Sequence, residues 1–142
     1  MRIVSRTTRS IADRQREQSL RRRAAAGSLV QSYPALESIR IQLQFVPATG
    51  IAPAAQTHAL YPSAPAYFEF PCPYGDCDGR YDLEKAALPL LRGSGRQAEG
   101  TLRCAGTRAA GGDGRRPCGL RADYWMAATH QQLARASAAK SR

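Results

Sequence analysis

The segment Pro71-Cys72-Pro73-Tyr74-Gly75-Asp76-Cys77-Asp78-Gly79 contains two of the four cysteines of the chain. Prolines and glycines surround both cysteines, a composition typical of a tight turn. The other two cysteines, Cys104 and Cys118, lie on either side of a segment rich in glycine and arginine. The spacing Cys-x4-Cys-x26-Cys-x13-Cys therefore offers two pairs of sulfur ligands, each carried by its own turn.

The length and composition favour a small domain that needs a cross-link or a metal. The chain has 142 residues, of which Phe, Tyr and Trp make up 7%, and alanine supplies much of the 43% hydrophobic content. Such a chain builds a shallow core. The basic N-terminus is followed by no apolar signal core, so we expect a cytoplasmic protein, although an organelle transit peptide has a similar composition. In the cytoplasm, four cysteines are more often metal ligands than disulfides.

We predict one structural Zn²⁺ ion bound by all four cysteines, because zinc prefers four thiolate or imidazole ligands in a tetrahedron. The predicted ligands are Cys72, Cys77, Cys104 and Cys118. Four alternatives are a site in which His58 or His130 replaces one cysteine, iron in place of zinc, disulfides in an oxidising compartment, and thiols that bind no metal. A closed four-cysteine site leaves no open coordination position, so we expect no enzyme activity.

The residues around the first cysteine pair are expected to support the metal. Asp76 and Asp78 flank Cys77, and aspartates in turns more often accept backbone amide hydrogen bonds than catalyse reactions. Gly75 and Gly79 are predicted to adopt positive φ angles that bring amides close to sulfur. Four thiolates and one Zn²⁺ leave two negative charges, which these amides and the nearby Arg80 and Arg103 would offset.

The pattern Cys-Pro-x-x-x-Cys-x-Gly, followed by a strand and a later cysteine pair, resembles the zinc-ribbon family over about residues 67–126. Tyr61 to Gly79, with Tyr-Pro-x-Ala before Cys-Pro-x-x-x-Cys-Asp-Gly, is also similar to small bacterial four-cysteine zinc-binding proteins of uncharacterised activity. These resemblances imply β-hairpins around the metal and a binding role. In zinc ribbons, the turns that carry the paired cysteines are called knuckles and have about two to four residues between the two cysteines. The thirteen between Cys104 and Cys118 indicate an insertion, or a turn that is not a knuckle.

Residues 38–46 are the clearest strand, because Ile39, Ile41, Leu43 and Phe45 alternate with polar residues. Further strands are predicted over residues 66–70, 80–83, 101–104 and 120–126, and a helix over residues 83–88 that Asp82 caps and Pro89 interrupts. Residues 47–66 are rich in proline and are predicted to form a long loop, as are the Gly/Arg-rich residues 105–117.

Both ends of the chain are predicted to be helical and loosely attached. A basic helix from Ser10 to about residue 26 lacks an apolar stripe and is expected to project as an arm. Thr129-x-x-Gln132 matches a capping box that opens an alanine-rich tail helix, which we expect to fray.

Together these patterns predict a small α+β fold. It has antiparallel β-hairpins around a zinc-ribbon-like site, a basic N-terminal helix and a frayed C-terminal helix. The predicted divisions are a partly helical or disordered basic arm (1–32), a β domain that includes the loop 47–66 (33–128) and an alanine-rich tail (129–142).

Positive charge is concentrated at both ends. The net charge is +10, and residues 1–23 and 101–142 each carry eight basic and two acidic side chains. Basic ends suit nucleic acid or an acidic protein, although drift towards arginine in a GC-rich genome has the same appearance. The sequence shows neither a membrane span nor a small-molecule substrate site. The candidate nucleic-acid-binding residues are Arg21, Arg22, Arg23, Arg108, Arg115, Arg116 and Trp125.

The alternative function is an accessory module for protein–protein interaction with no nucleic-acid role. It would dock through the apolar face or the edge of the strand at residues 39–45.

Overall fold

The computed structural model describes residues 2–112 and 114–131, with side chains described from residue 11 onward. The helices are α1 (Arg2–Ala25), α2 (Leu29–Ser32) and α3 (Glu84–Leu91). The strands are β1 (Leu36–Val46), β2 (Gln56–Leu60), β3 (Glu69–Pro71), β4 (Arg80–Asp82), β5 (Gln97–Arg103), β6 (Thr107–Ala109), β7 (Arg115–Pro117) and β8 (Arg121–His130). The predicted small α+β fold is confirmed. None of these helices is long and apolar enough to cross a membrane.

The main sheet has four strands in the order β2-β1-β8-β5, with every neighbouring pair antiparallel. The alternation predicted for β1 is confirmed, since the four predicted core side chains (Ile39, Ile41, Leu43 and Phe45) are at most 2% exposed while Arg40, Gln42 and Gln44 face solvent. Because β1 pairs with β2 on one side and β8 on the other, both of its edges are occupied.

One face of this sheet is covered and the other is open. The covered face shares a core with Leu90 and Leu91 of α3 and with Phe70 and Tyr81 of the β3–β4 hairpin. Tyr81 joins the hairpin to the sheet, because its hydroxyl donates to the carbonyl oxygen of Leu120 at 2.8 Å. The outward-facing residues of β1, β2 and β5 are exposed, so the opposite face of the sheet is open to solvent.

Two short hairpins complete the fold, β3–β4 and β6–β7. The second occupies residues predicted to be a loop. That prediction is wrong for β6 and β7, which pair from Thr107↔Pro117 to Ala109↔Arg115. Gly111 and Gly112 have positive φ angles and let the chain reverse between the two strands. The thirteen residues between Cys104 and Cys118 are therefore an inserted hairpin.

The loop predicted over residues 47–66 is also interrupted by a strand. Pro53 and Pro62 lie outside Gln56–Leu60, so these five residues are free to pair with β1 at the edge of the sheet. In α3 the chain continues past Pro89 to Leu91, where two leucines are buried in the core. The predicted cap is present, since the Glu84 amide donates to Asp82 Oδ1 at 2.9 Å.

The N-terminal helix begins at Arg2 rather than Ser10, and it docks instead of projecting. Ala12 is buried, and Arg16 Nη2 donates to the carbonyl oxygen of Gly75 at 2.6 Å in the first cysteine turn. Arg22 Nη2 lies 3.7 Å from Glu69 Oε1. The expectation of a projecting arm was wrong because this helix is held by polar contacts that need no apolar stripe.

The predicted start of the tail helix is wrong as well. Thr129 and His130 belong to β8, whose pairing with β1 extends to Leu36↔His130. The remainder of the predicted tail helix, residues 132–142, lies outside the described residues.

Candidate metal centre

The four cysteines come from the ends of three structural segments. Cys72 and Cys77 lie in the turn between β3 and β4, Cys104 follows β5, and Cys118 follows β7. Backbone bonds close each half of the site. The Cys72 amide donates to Gly79 O at 3.0 Å, and the Cys118 amide donates to Gly106 O at 2.9 Å. One backbone hydrogen bond thus closes each of the two cysteine turns.

The four sulfur atoms all lie within 4.8 Å of one another. Sγ of Cys72 is 3.8 Å from that of Cys118, and Sγ of Cys77 is 3.5 Å from that of Cys104. A tetrahedron with metal–sulfur bonds of about 2.3 Å has edges of about 3.8 Å, whereas a disulfide requires about 2.05 Å. All four cysteines are unbridged, and their spacing fits a tetrahedral ion. Zinc and iron both suit this donor set.

Neither candidate histidine lies at the site. The His58 ring lies 4.5 Å from the Phe70 ring, and its Nε2 atom is 3.0 Å from Gln56 Oε1. His130 Nε2 lies 3.5 Å from the carbonyl oxygen of Leu91. Within the described residues, the metal-ligating cluster consists of the four cysteines, so a mixed site with three cysteines and one histidine is wrong.

Two backbone amides support the sulfurs, one in each half of the site. The Gly79 amide donates to Cys77 Sγ at 3.3 Å, and the Gly106 amide donates to Cys104 Sγ at 3.4 Å. Each half therefore uses the same Cys-x-Gly unit. The positive φ angles predicted for Gly75 and Gly79 are wrong, since neither residue has one. A glycine is needed at 79 for space, because a Cβ atom there would lie 2.8 Å from the nitrogen and Cα of Gly106.

The two aspartates around Cys77 fasten the inserted hairpin to the first turn. Asp78 Oδ1 accepts from the Thr107 amide at 2.6 Å, and Asp76 Oδ2 accepts from the Ala109 amide at 3.2 Å. Asp76 Oδ1 also accepts from Arg108 Nε at 3.0 Å. Partial burial would raise the pKa of Asp76, but the hydrogen bond and charge of Arg108 lower it below its usual range. The prediction that these acids accept amide bonds is confirmed, with the donors on the other hairpin.

The arginines near the centre have partners of their own. Arg80 forms an ion pair with Glu69, and Arg103 Nη1 donates to the carbonyl oxygen of Gly119 at 3.3 Å. Arg115 Nη2 donates to Thr107 O of the same hairpin at 2.6 Å and to Asp76 O of the first cysteine turn at 3.0 Å. The Arg115 guanidinium therefore links the β6–β7 hairpin to the first cysteine turn.

Without a metal, the crowded thiols differ in acidity. Hydrogen bonding to Cys104 raises the pKa of Cys72, and burial raises the pKa of Cys77 to about 12. The hydrogen bond from Cys72 lowers the pKa of Cys104 to about 5, despite burial. A bound divalent ion would replace the remaining protons, because metal-ligating cysteines are thiolates.

The arginines predicted at the end of α1 do not form one patch. Arg21 is 78% exposed and lies 3.6 Å from Glu17. Arg22 and Arg23 turn towards the protein, where Arg22 Nε donates to the Tyr67 hydroxyl at 3.4 Å and the Arg23 guanidinium lies 5.6 Å from the Tyr67 ring centroid. These contacts hold α1 against the segment that leads into β3.

The hairpin arginines Arg108 and Arg116 lie together, in the wall of a cavity of about 460 Å³. The cavity is bounded by residues 46–49 at the end of β1 and by residues 116–121, which include Arg121. Arg103 also lines it. Trp125 lies elsewhere, on the open face of the sheet and opposite Gln42 and Glu99. The sequence analysis did not single out this cavity or Arg121, because the cross-strand pair Arg103↔Arg121 depends on the register of β5 and β8.

Comparison of the chain with protein-family profiles, with curated proteins and with solved structures found no significant match.

Proposed function

We propose that this protein is a structural zinc-binding protein that acts as a small, zinc-ribbon-like binding module for nucleic acid. The observation that carries the proposal is the clustering of four unbridged sulfurs within 4.8 Å of one another at the meeting point of two turns. Four thiolates leave no coordination position for a substrate, so the metal would have a structural rather than a catalytic role. Unbridged cysteines also fit a reducing compartment such as the cytoplasm.

The choice of nucleic acid as the target rests on charge. The chain has a net charge of +10, and four arginines line one cavity next to the metal centre. Guanidinium groups bind phosphate through paired hydrogen bonds, which explains why arginine is common at nucleic-acid interfaces. The cavity contains no acidic side chain among the described residues that line it.

Metal analysis of the purified protein tests the first half of the proposal. We expect about one zinc per chain, and we expect a chelator to unfold the cysteine turns, because structural zinc contributes on the order of 10 kcal/mol to folding. A metal-free protein whose fold is indifferent to chelator would contradict a structural zinc.

Binding of labelled oligonucleotides to the zinc-loaded protein tests the second half. Fluorescence anisotropy should show an affinity that falls steeply as salt increases, with a slope of log K against log salt near −0.7 for each phosphate contact on a single strand. Absence of binding at low salt, with zinc present, would exclude nucleic acid as the partner.

The alternative role is docking of another protein on β1, and the surface proposed for it is already occupied within this protein. The apolar face of β1 is buried in the core of the protein itself, and both edges of the strand are paired. A protein partner would have to use another surface.

A further inference from the structure

Trp125 is the single tryptophan of the chain, and it lies on the solvent-facing side of β8, the strand between β1 and β5. Its neighbours across the ladder, Gln42 and Glu99, are exposed polar residues, and Trp125 itself is half-buried. A large aromatic ring on the open face of a sheet contributes little to the core. It provides a flat surface on which another planar group can stack.

Two of the four arginines that line the cavity, Arg103 and Arg121, lie at one end of this face, because they alternate in phase with Glu99 and Trp125. Arg121 and Trp125 are four residues apart on β8, so their side chains share a face at a separation of about 13 Å. Arg103 pairs directly with Arg121 across the sheet. Like charges in directly opposite positions destabilise a sheet, and an anion bound between them would remove this repulsion.

Two of the four guanidinium groups in the cavity are held in place by other side chains. Arg108 donates through Nε to Asp76 and lies 3.7 Å from the centroid of the Tyr74 ring. Arg121 binds both carboxylate oxygens of Asp123 at 2.9 Å. These contacts leave part of each guanidinium fork free and reduce the conformational entropy lost when a ligand binds.

The other two arginines supply charge without a carboxylate partner. Among the described residues, neither Arg103 nor Arg116 forms an ion pair, and both side chains are exposed. The cavity therefore combines two oriented forks with two uncompensated positive charges, a combination that suits phosphate oxygens.

We infer that the open face of the sheet binds single-stranded nucleic acid, with a backbone phosphate in the arginine cavity and a base stacked on Trp125. This inference rests on the proposed nucleic-acid role and specifies the type of strand and its position. A single strand exposes the faces of its bases to an aromatic side chain, whereas a duplex encloses them in its stack. Readout of a duplex in the major groove would need a projecting helix or ribbon, and Trp125 lies on the face of a four-stranded sheet.

Charge compensation at the metal centre is the competing explanation for these arginines. A zinc ion with four thiolates carries two negative charges, and Cys118, the least buried of the four cysteines, forms part of the cavity wall. If Arg103 and Arg116 serve the metal, their removal should weaken zinc binding and leave nucleic-acid binding unchanged. The two explanations therefore predict opposite results for one pair of substitutions.

The experiment uses the full zinc-loaded chain with a labelled twelve-nucleotide oligo-dT and with a duplex of the same length. Anisotropy of the label reports binding, and the fluorescence of Trp125 reports stacking. We expect the single strand to bind more than tenfold more tightly than the duplex and to quench Trp125. Inorganic phosphate should compete for the cavity without quenching the tryptophan.

Substitutions then separate the two parts of the surface. Trp125→Ala should weaken binding about 5- to 150-fold, the range measured for loss of one stacked base, and Trp125→Phe should retain most of the affinity because it retains a ring. Arg103→Gln with Arg116→Gln should weaken binding and reduce the salt slope by about 0.7, the value for loss of the one phosphate contact in the cavity. Arg92→Gln with Arg96→Gln removes the same charge at the other end of β5 and should change neither the affinity nor the salt slope.

The outcomes distinguish this inference from the function on which it rests. Absence of any oligonucleotide binding would refute both. Binding without quenching of Trp125, or with equal affinity for duplex and for Trp125→Ala, would overturn the inference and leave a nucleic-acid role in place. A loss of zinc affinity in the Arg103/Arg116 variant, with unchanged oligonucleotide affinity, would assign these arginines to the metal and also overturn the inference.

Discussion

Replacement of Gly106 by alanine tests whether the contact between the two cysteine turns is required for metal binding. A Cβ atom at position 106 would overlap the backbone nitrogen and Cα of Gly79 and would lie 2.8 Å from Asp78 Oδ1. The reciprocal change, Gly79→Ala, would place a Cβ atom 2.8 Å from the nitrogen and Cα of Gly106. Non-bonded carbon contacts are normally about 3.5 Å, so the turns must separate by about 0.7 Å or more.

A displacement of this size is large for a metal site. Metal–ligand distances tolerate about 0.2 Å, so the sulfurs of the two turns can no longer share one ion at full strength. Overpacking typically costs about 1–3 kcal/mol, and the upper end applies because the atoms opposing the new methyl group belong to the backbone. We therefore expect Gly106→Ala to bind zinc about 150-fold more weakly than the unmodified protein.

Competition with a chromophoric zinc chelator measures this loss, and the absorption of the cobalt-substituted protein reports whether four sulfurs still bind. Gly75→Ala is the matched control, because a Cβ atom at Gly75 meets nothing within 4 Å. Both substitutions also restrict the unfolded chain to a similar extent, so that effect cancels in the comparison. Equal zinc affinity for Gly106→Ala and Gly75→Ala would refute the argument that the glycine contact sets the metal geometry.

Three further changes test the supports around the site. Chelation of the metal should expose the buried cysteine turns, seen as loss of chemical-shift dispersion for residues 72–79, and readdition of zinc should restore it. Tyr81→Phe should lower the free energy of unfolding in urea by about 0.5–1.5 kcal/mol, since Leu120 O retains its bond from the Cys104 amide. Tyr81→Ala also removes the buried ring and should lower the free energy of unfolding by about 3–5 kcal/mol. Equal losses for the two variants would contradict the role given to the ring. Asp78→Ala should speed hydrogen exchange at the Thr107 amide while one zinc stays bound, and unchanged exchange would show that the aspartate does not anchor the hairpin.

The clustering of the four cysteines and the buried face of β1 could be predicted from the sequence because each depends on local information. Thiolate chemistry selects the cysteines whatever the fold, and alternation along β1 identifies its buried face without knowledge of its neighbours. The same local reasoning identified the cap at Asp82. Local reasoning failed at Gly75 and Gly79, which lack the predicted positive φ angles, and at Thr129, which belongs to β8 instead of a helix cap.

The elements that could not be predicted depend on contacts between distant segments. β2 has weak alternation of its own and exists because β1 offers it an edge. The docking of α1 depends on carbonyl oxygens in the turn at Tyr74 and Gly75, which apolar periodicity cannot reveal. Likewise, the need for glycine at Gly79 arises from Gly106, which is brought close by a different hairpin.

The metal centre and the open face of the sheet are connected through the chain itself. Cys104 directly follows Arg103, and Cys118 precedes Arg121 by three residues, so a metal bound to these cysteines would fix the ends of the two strands that carry these arginines. Without the metal, a ligand would have to order these ends when it binds, and that entropy would reduce its affinity. The coupling between two binding sites is reciprocal, so a nucleic-acid strand bound to the ordered arginines would in turn raise the affinity of the cysteines for zinc. If zinc and a nucleic-acid strand bind as we propose, the metal would contribute to recognition by holding the binding surface in place before the ligand arrives.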